Sequence, residues 1–219
     1  MLIFARNKGM FMKKLLFVVA VLSLLLACNK GNQSGISAPS NGENAVVNNI
    51  MTRTSIRAYT GQAVSADTIE TLLRAGMAAP TAVNKQPWHF VVVTDREKLK
   101  GIAVANPNAG MAEKAPLAIV VCGDLEKALD GPAREYWIQD CSAATENILL
   151  AAHGLGLGAV WTGIYPKDER VSAFNNLLKL PRHIIPLCAI IIGHPDEAPQ
   201  PKDKWTPGNI SYNEFGSQE

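Results

Sequence analysis

A short stretch between two prolines carries the side chains best suited to binding a small ligand. Pro80-Thr81-Ala82-Val83-Asn84-Lys85-Gln86-Pro87 contains two side-chain amides, at Asn84 and Gln86, and each offers both a donor and an acceptor. Such groups can bind the polar edge of a flat heterocycle. The prolines stiffen both ends of the stretch, because each fixes φ and removes a backbone donor. A plain turn capped by Asn84 is the alternative that this stretch alone leaves open.

A second polar cluster lies upstream of this loop. The segment Arg53-Thr54-Ser55-Ile56-Arg57 places two guanidinium groups beside two hydroxyl groups. A guanidinium offers a fork of donors and a hydroxyl adds a short hydrogen bond, so the segment suits a phosphate group. A solvated charge cluster that opens a domain is the other interpretation of the same residues.

The cysteines and histidines predict no metal centre. Cys122, Cys141 and Cys188 each stand in an apolar context, and the histidines are scattered without the spacing of zinc ligands. We therefore expect buried free thiols rather than a disulfide framework. No side chain is required by its context to act as a general acid or base.

The first residues of the chain are typical of an export signal. Lys13 and Lys14 precede the apolar run 15–26, which predicts a signal peptide over residues 1–27. Leu25-Leu26-Ala27-Cys28 resembles the lipobox of bacterial lipoproteins, in which the cysteine is lipidated. An ordinary signal peptide with a chance cysteine is the alternative. We expect an exported, membrane-anchored protein, or a cytoplasmic one if the signal is not functional.

The rest of the chain has the composition of an ordinary globular domain. Residues 28–45 are rich in Gly, Ser and Asn and predict a flexible tether, which leaves a folded domain over 46–219. Removing residues 1–27 would remove four basic residues and no acidic ones, so the formal net charge would fall from +2 to −2. No basic stripe interleaved with aromatic residues remains, so we expect no nucleic-acid partner.

Helical and strand patterns alternate around the two polar segments. Ser65 is predicted to cap a helix that delivers the chain to the proline-bounded loop. Gly154, Gly156 and Gly158 follow a helix and precede a strand, which is the reverse of a dinucleotide-binding fingerprint. The other predicted elements are strands over 88–94, 115–124, 159–163 and 184–193, and helices over 95–103, 132–153 and 168–178.

Together, four segments resemble the nitroreductase family of FMN-dependent oxidoreductases. They are Arg53–Arg57, the loop Pro80–Trp88, Leu155–Gly163 and Gly193-His194-Pro195, and they occur in the family's order and spacing. The resemblance implies an α+β fold, in which a mostly antiparallel central sheet is flanked by helices, and an intertwined homodimer. Two FMN molecules would lie at the dimer interface, each contacted by both chains.

The resemblance also implies which residues contact FMN. The arginine segment would hold the phosphate and ribityl chain, and lysines of the C-terminal tail would close on the phosphate. The loop would contact the isoalloxazine ring, partly from the other subunit. Tyr136 or Trp137 would cover the flavin face or lie on the helix surface at the dimer interface. The expected cofactor contacts are Arg53, Thr54, Ser55, Arg57, Pro80, Thr81, Asn84, Gln86, Trp161, Thr162, Gly163, Lys202 and Lys204.

The activity implied by the family is a ping-pong hydride transfer. NADH or NADPH would reduce FMN, and an electron-poor acceptor such as a nitroaromatic or a quinone would then be reduced in the same place. The cofactor carries this chemistry, so no catalytic side chain is expected.

Two alternatives to this activity stay open, since exported lipoproteins normally cross the membrane unfolded. One is a lipid-anchored flavin-binding protein without nicotinamide-dependent turnover, and the other is a sister activity such as reductive dehalogenation.

Overall fold

A computed structural model describes residues 44–217. Four strands form one sheet in the order β1-β2-β4-β3, and every neighbouring pair is antiparallel. The strands are β1 (Trp88–Val93), β2 (Leu117–Asp124), β3 (Gly158–Gly163) and β4 (Ile184–Gly193). The helices are α1 (Ala45–Thr52), α2 (Ala66–Met77), α3 (Arg96–Ala105), α4 (Tyr136–Gly154) and α5 (Asp168–Leu178). Short 3₁₀ turns cover 82–84, 107–113, 131–135 and 207–209. The predicted α+β class with an antiparallel sheet is confirmed.

Both faces of the sheet are covered by helices. The central strands β2 and β4 are almost continuously apolar and buried, as expected for strands with helices on both sides. Successive side chains of a strand point to opposite faces, so Ile119 joins the cluster beneath α2 and α4. Its neighbour Val120 joins Leu99 of α3 and Phe174 of α5 on the other face.

Local sequence signals predict most ends of helices and strands to within a few residues of the observed ends. The predicted bounds of α5 and β4 agree with the observed ones. Ser65 caps α2 as predicted, since its side chain accepts the N–H of Thr68. Helix α1, which the sequence did not predict, begins after Asn44, whose side chain accepts the N–H groups of Val46 and Val47. The predicted signal segment 1–27, Cys28 and most of the tether lie outside the described residues.

Trp137 is a core residue, so both roles suggested for it from the sequence are wrong. It is 3% exposed and makes an edge-to-face contact with Tyr165, with ring centroids 5.1 Å apart. The indole lies directly over Gly123 of β2, where an added Cβ would come within 2.2 Å of the ring. The neighbouring Tyr136 is exposed, and its roles at a flavin face or an interface stay predictions.

Gly158 is required for close packing beneath the arginine segment. An added Cβ would lie 2.5 Å from Cγ2 of Ile56, which is itself buried. We expect Gly158→Ala to lower the free energy of unfolding by about 1–3 kcal/mol, the usual range for overpacking. Urea denaturation would measure the change. Gly110→Ala is the matched control, because nothing lies within 4 Å of a Cβ there, and an equal loss in both variants would refute the packing explanation.

None of the helices within residues 44–217 has both the length and the apolarity needed to cross a membrane.

Candidate functional site

The proline-bounded loop has an unusual backbone. Val83, Asn84 and Gln86 have φ angles of 49°, 57° and 51°, in the left-handed region that non-glycine residues rarely occupy. Val83 is a β-branched residue in this conformation and is 80% exposed. Such conformations persist only where the surroundings hold them, and they are common at ligand-binding sites.

Hydrogen bonds inside the loop fix its two amides. Thr81 Oγ1 accepts the N–H of Gln86 at 3.1 Å, and the side-chain nitrogen of Gln86 donates to Asn84 Oδ1 at 2.9 Å. Asn84 and Gln86 are both exposed, like Pro80. The loop therefore presents a fixed pair of amide groups at the surface.

A buried carboxylate anchors the loop to α4. Asp140 is 6% exposed, and its Oδ1 accepts the N–H of Ala82 at 2.9 Å. The contact joins residues 58 positions apart in the chain. Asp140 was not predicted from the sequence, although a charged residue on the apolar face of a predicted helix was a usable signal.

The arginine segment contacts the outer edge of β3 near the start of that strand. Ser55 forms a parallel bridge with Ala159, and the N–H of Ile56 donates to the carbonyl of Ala159 at 3.1 Å. The hydroxyl of Tyr59 donates to the carbonyls of Ile56 at 2.6 Å and Ile191 at 3.0 Å. Burial, reinforced by the nearby carboxylate of Glu197, raises the pKa of the Tyr59 phenol. The structure thus brings Ser55 beside the start of β3, the strand that ends with Trp161, Thr162 and Gly163.

The two arginines of the segment are in different situations. Arg53 is largely buried and its Nε lies 3.7 Å from Oε1 of Glu146 on α4. Arg57 is exposed, and its guanidinium takes part in none of the ion pairs formed among residues 44–217. Arg57 is therefore the cation available to an anionic ligand, whereas Arg53 is already oriented by a carboxylate.

Helix α4 connects the loop with the arginine segment. Asp140 holds Ala82 in the loop, and Glu146 pairs with Arg53. Six residues of α-helix advance by about 9 Å, so Asp140 and Glu146 attach the two segments at points about 9 Å apart along α4. This separation is similar to the size of a fused-ring ligand.

The outer edge of β3 presents backbone groups without a strand partner. β3 is the last strand of the sheet and pairs only with β4. Ile164 donates its N–H to the carbonyl of Leu187, so the alternation of an antiparallel ladder turns the N–H of Gly163 outward. That N–H has no partner within residues 44–217, and Trp161 is partly exposed on the same strand. Thr162 is instead buried, and its hydroxyl donates to the carbonyl of Ala189 at 2.8 Å.

The C-terminal tail, which follows the end of β4 at Gly193, begins beside the arginine segment. Asp196 donates its N–H to the carbonyl of Ala58, and one carboxylate oxygen of Glu197 accepts the N–H groups of Arg57 and Ala58. Further along, Lys202 and Lys204 are exposed. No hydrogen bond or ion pair joins either lysine to residues 53–57 in the part of the chain described, and Thr54 likewise shows no side-chain hydrogen bond there.

The three core cysteines are free thiols and buried, as predicted. Burial raises the pKa of Cys122 and of Cys188 to about 12, and it raises the pKa of Cys141 as well. Because the thiolate is the reactive form, these side chains are inert in the folded protein.

Thiol labelling tests this conclusion. In a Cys28→Ser variant at pH 8, we expect no rapid reaction with a thiol-exchange reagent, and three reactive thiols after unfolding in urea. A thiol that reacts rapidly in the native protein would contradict the buried arrangement.

A small cluster of Asp124, Glu126 and His183 lies at the end of β2, with potential ligand atoms within 4.8 Å of one another. Burial raises the pKa of the Asp124 carboxyl, but hydrogen bonds from the Lys127 ammonium and the Glu126 N–H outweigh this, so the pKa lies below its usual value. His183 Nδ1 lies 3.4 Å from Glu126 Oε1. These contacts account for the cluster without a metal ion, and the sequence prediction about metals remains a prediction.

Comparisons with known proteins agree with this architecture. A family model described as "Nitroreductase family" matches residues 50–106 and 103–194. A relative from Methanothermobacter thermautotrophicus, named "Putative NADH dehydrogenase/NAD(P)H nitroreductase", is 47% identical over 172 residues, which are 78% of this chain and 87% of the relative.

Solved structures show the same fold. A protein of the same description from Bacteroides thetaiotaomicron is 45% identical and superposes with a TM-score of 0.75, covering 80% of this chain and 100% of that chain. A nitroreductase homologue from Desulfovibrio desulfuricans, solved in complex with FMN, is 31% identical with a TM-score of 0.68, covering 80% and 99%. On the family match and the 47% identity together, this chain belongs to the nitroreductase family.

Proposed function

We propose that this protein is an FMN-dependent oxidoreductase that uses NAD(P)H to reduce small electron-poor acceptors such as nitroaromatics and quinones. The observation that carries the proposal is a pair of free groups on the outer edge of β3: the unpaired Arg57 guanidinium on the segment that contacts the start of the strand, and the outward N–H of Gly163 at its end. A relative named "FMN reductase (NADPH)" and the homologue solved with FMN support the same cofactor.

The residues present fit an FMN molecule. Arg57 offers an unpaired cation to a phosphate dianion, and Ser55 beside it adds a hydroxyl. The exposed amides of Asn84 and Gln86 suit the polar edge of the isoalloxazine ring. When bound, the flavin supplies hydride transfer, while the chain supplies binding, orientation and a backbone donor at Gly163.

Spectroscopy and rapid kinetics test the proposal. We expect purified protein to be yellow or to become so on incubation with FMN, and to release FMN on heating. Anaerobic mixing with NADPH or NADH should bleach the flavin absorbance, and a nitroaromatic should restore it. A protein that cannot be reconstituted with FMN would refute the cofactor. A bound flavin that neither donor bleaches would refute the nicotinamide-dependent reaction and favour a binding protein without turnover.

We further propose a homodimer that completes the site. Helix α1 exposes Val46, Val47, Ile50 and Met51, an apolar surface of the kind that marks protein–protein contacts. The tail adds the exposed aromatic residues Trp205, Tyr212 and Phe215. Sedimentation should give twice the chain mass at micromolar concentration, and a monomer that retains FMN would contradict a shared site.

We also propose that Cys28 is lipidated after export. The support is the sequence alone: the basic pair Lys13-Lys14, the apolar run 15–26 and the lipobox-like Leu25–Cys28. Metabolic labelling with an alkyne fatty acid in a bacterial host should mark the wild-type protein and not Cys28→Ser. Equal labelling of both, or none, would contradict lipidation at this cysteine.

A further inference from the structure

The carbonyl group of Gly163 receives two side-chain donors. Nη1 of Arg170 in the first turn of α5 lies 2.8 Å from this oxygen, and Nδ2 of Asn106 lies 3.1 Å from it. Asn106 is fully buried, and its own Oδ1 accepts the N–H of Asn108. Both lone pairs of the carbonyl are therefore engaged, and the last residue of β3 is held in one orientation.

Arg170 occupies an unfavourable position for a cation. The N-terminal turn of a helix carries partial positive charge, so a guanidinium there is destabilising. Asp168 and Glu169 stand in the same turn, yet none of the ion pairs among residues 44–217 includes Arg170. The cation is thus directed at a backbone carbonyl instead of a carboxylate.

From this geometry we propose that Arg170, assisted by Asn106, is a positioning residue that orients Gly163 and adds positive charge on the outer edge of β3, beside the Gly163 N–H that is proposed to face the flavin. This inference rests on the proposed FMN site. Two-electron reduction of a flavin with uptake of one proton leaves a negative charge on the ring. A nearby unpaired cation stabilises that charge, so Arg170 raises the reduction potential of the bound flavin.

Redox titration of the full-length protein carrying FMN tests the inference. Arg170→Met removes both charge and donor, and Arg170→Gln removes the charge but keeps a donor. We expect each to reduce the ratio of reduced to oxidised flavin at a fixed potential at least tenfold, which for a two-electron couple corresponds to about 30 mV. Arg170→Lys keeps the charge, so its ratio of reduced to oxidised flavin at the same potential should lie close to that of the wild type.

Arg96→Met is the matched control. Arg96 also donates from Nη1 to backbone carbonyls, those of Glu113 and Ala115, but it does so before β2, at the end of the sheet where β3 begins. The reduction potential of FMN bound to the Arg96→Met variant should equal that of FMN bound to the wild type.

The possible outcomes separate this inference from the proposed function. A wild-type potential in flavin-loaded Arg170→Met or Arg170→Gln would overturn the role of Arg170 and leave the FMN site intact. An equal decrease in the Arg96→Met variant would also overturn it, since the effect would then be non-specific. Failure of the wild-type protein itself to bind FMN would overturn both.

Discussion

Replacing Arg57 with alanine should weaken FMN binding by about 1–3 kcal/mol, which raises Kd roughly 5- to 150-fold. The reason is that the Arg57 guanidinium has no carboxylate partner within residues 44–217 and lies on the segment that contacts the start of β3. Its removal takes a charge-assisted hydrogen bond from a phosphate dianion without disturbing an ion pair of the protein. Titration of the flavin-free protein with FMN, followed by flavin fluorescence, would measure the change.

Two further variants sharpen this prediction. Arg57→Lys keeps the charge but loses the fork of donors, so its affinity should lie between those of the wild type and the alanine variant. Arg74→Ala is the control, because Arg74 is an exposed arginine of α2 whose partner is Glu70, at 2.6 Å. Unchanged FMN affinity in Arg57→Ala would remove this residue from the phosphate site.

Replacing Asp140 with alanine should destabilise the loop and the fold together. The N–H of Ala82 would lose a charge-assisted acceptor that lies 2.9 Å away, which corresponds to about 1.5–3 kcal/mol of unfolding free energy. The left-handed residues Val83, Asn84 and Gln86 follow directly, so we expect the loop to lose its fixed conformation and FMN affinity to fall. Urea denaturation and FMN titration would measure the two effects separately.

The controls for Asp140 distinguish an anchor of the site from an ordinary structural contact. Asp140→Asn keeps an acceptor of the same shape, so it should lose less unfolding free energy and less FMN affinity than Asp140→Ala. Asp95→Ala removes a carboxylate that accepts the N–H of Lys98 at 2.9 Å and caps α3. It should cost about 1 kcal/mol of stability without changing FMN affinity. If Asp140→Ala loses stability but binds FMN as well as the wild type, the carboxylate has no role in the site.

Several parts of the fold could be predicted from the sequence because their signals are local. The bounds of α5 and β4 follow from periodicity and from a continuous apolar run, and Ser65 caps α2 through atoms three residues apart. The family resemblance also depends on short segments whose residue types can be read directly. For that reason the antiparallel sheet and the family membership were predicted correctly, and the individual cofactor contacts stay predictions.

Contacts between distant segments could not be predicted, since they depend on how the elements pack. The sequence shows Trp137 on a helix, but only the packing of α4 over Gly123 shows that the indole is buried. The sequence likewise gives no indication that Asp140 would accept the N–H of Ala82, or that Arg170 would donate to the carbonyl of Gly163.

The order of the strands decided the most important feature of the site. The sequence alone determined that residues 159–163 form a strand that ends in glycine. Whether the N–H of Gly163 is used inside the sheet or turned outward depends on β3 being an edge strand, and that is set by pairing with β4 alone. A backbone donor is available to a ligand only when no neighbouring strand accepts it, so tertiary structure made this glycine a candidate binding residue.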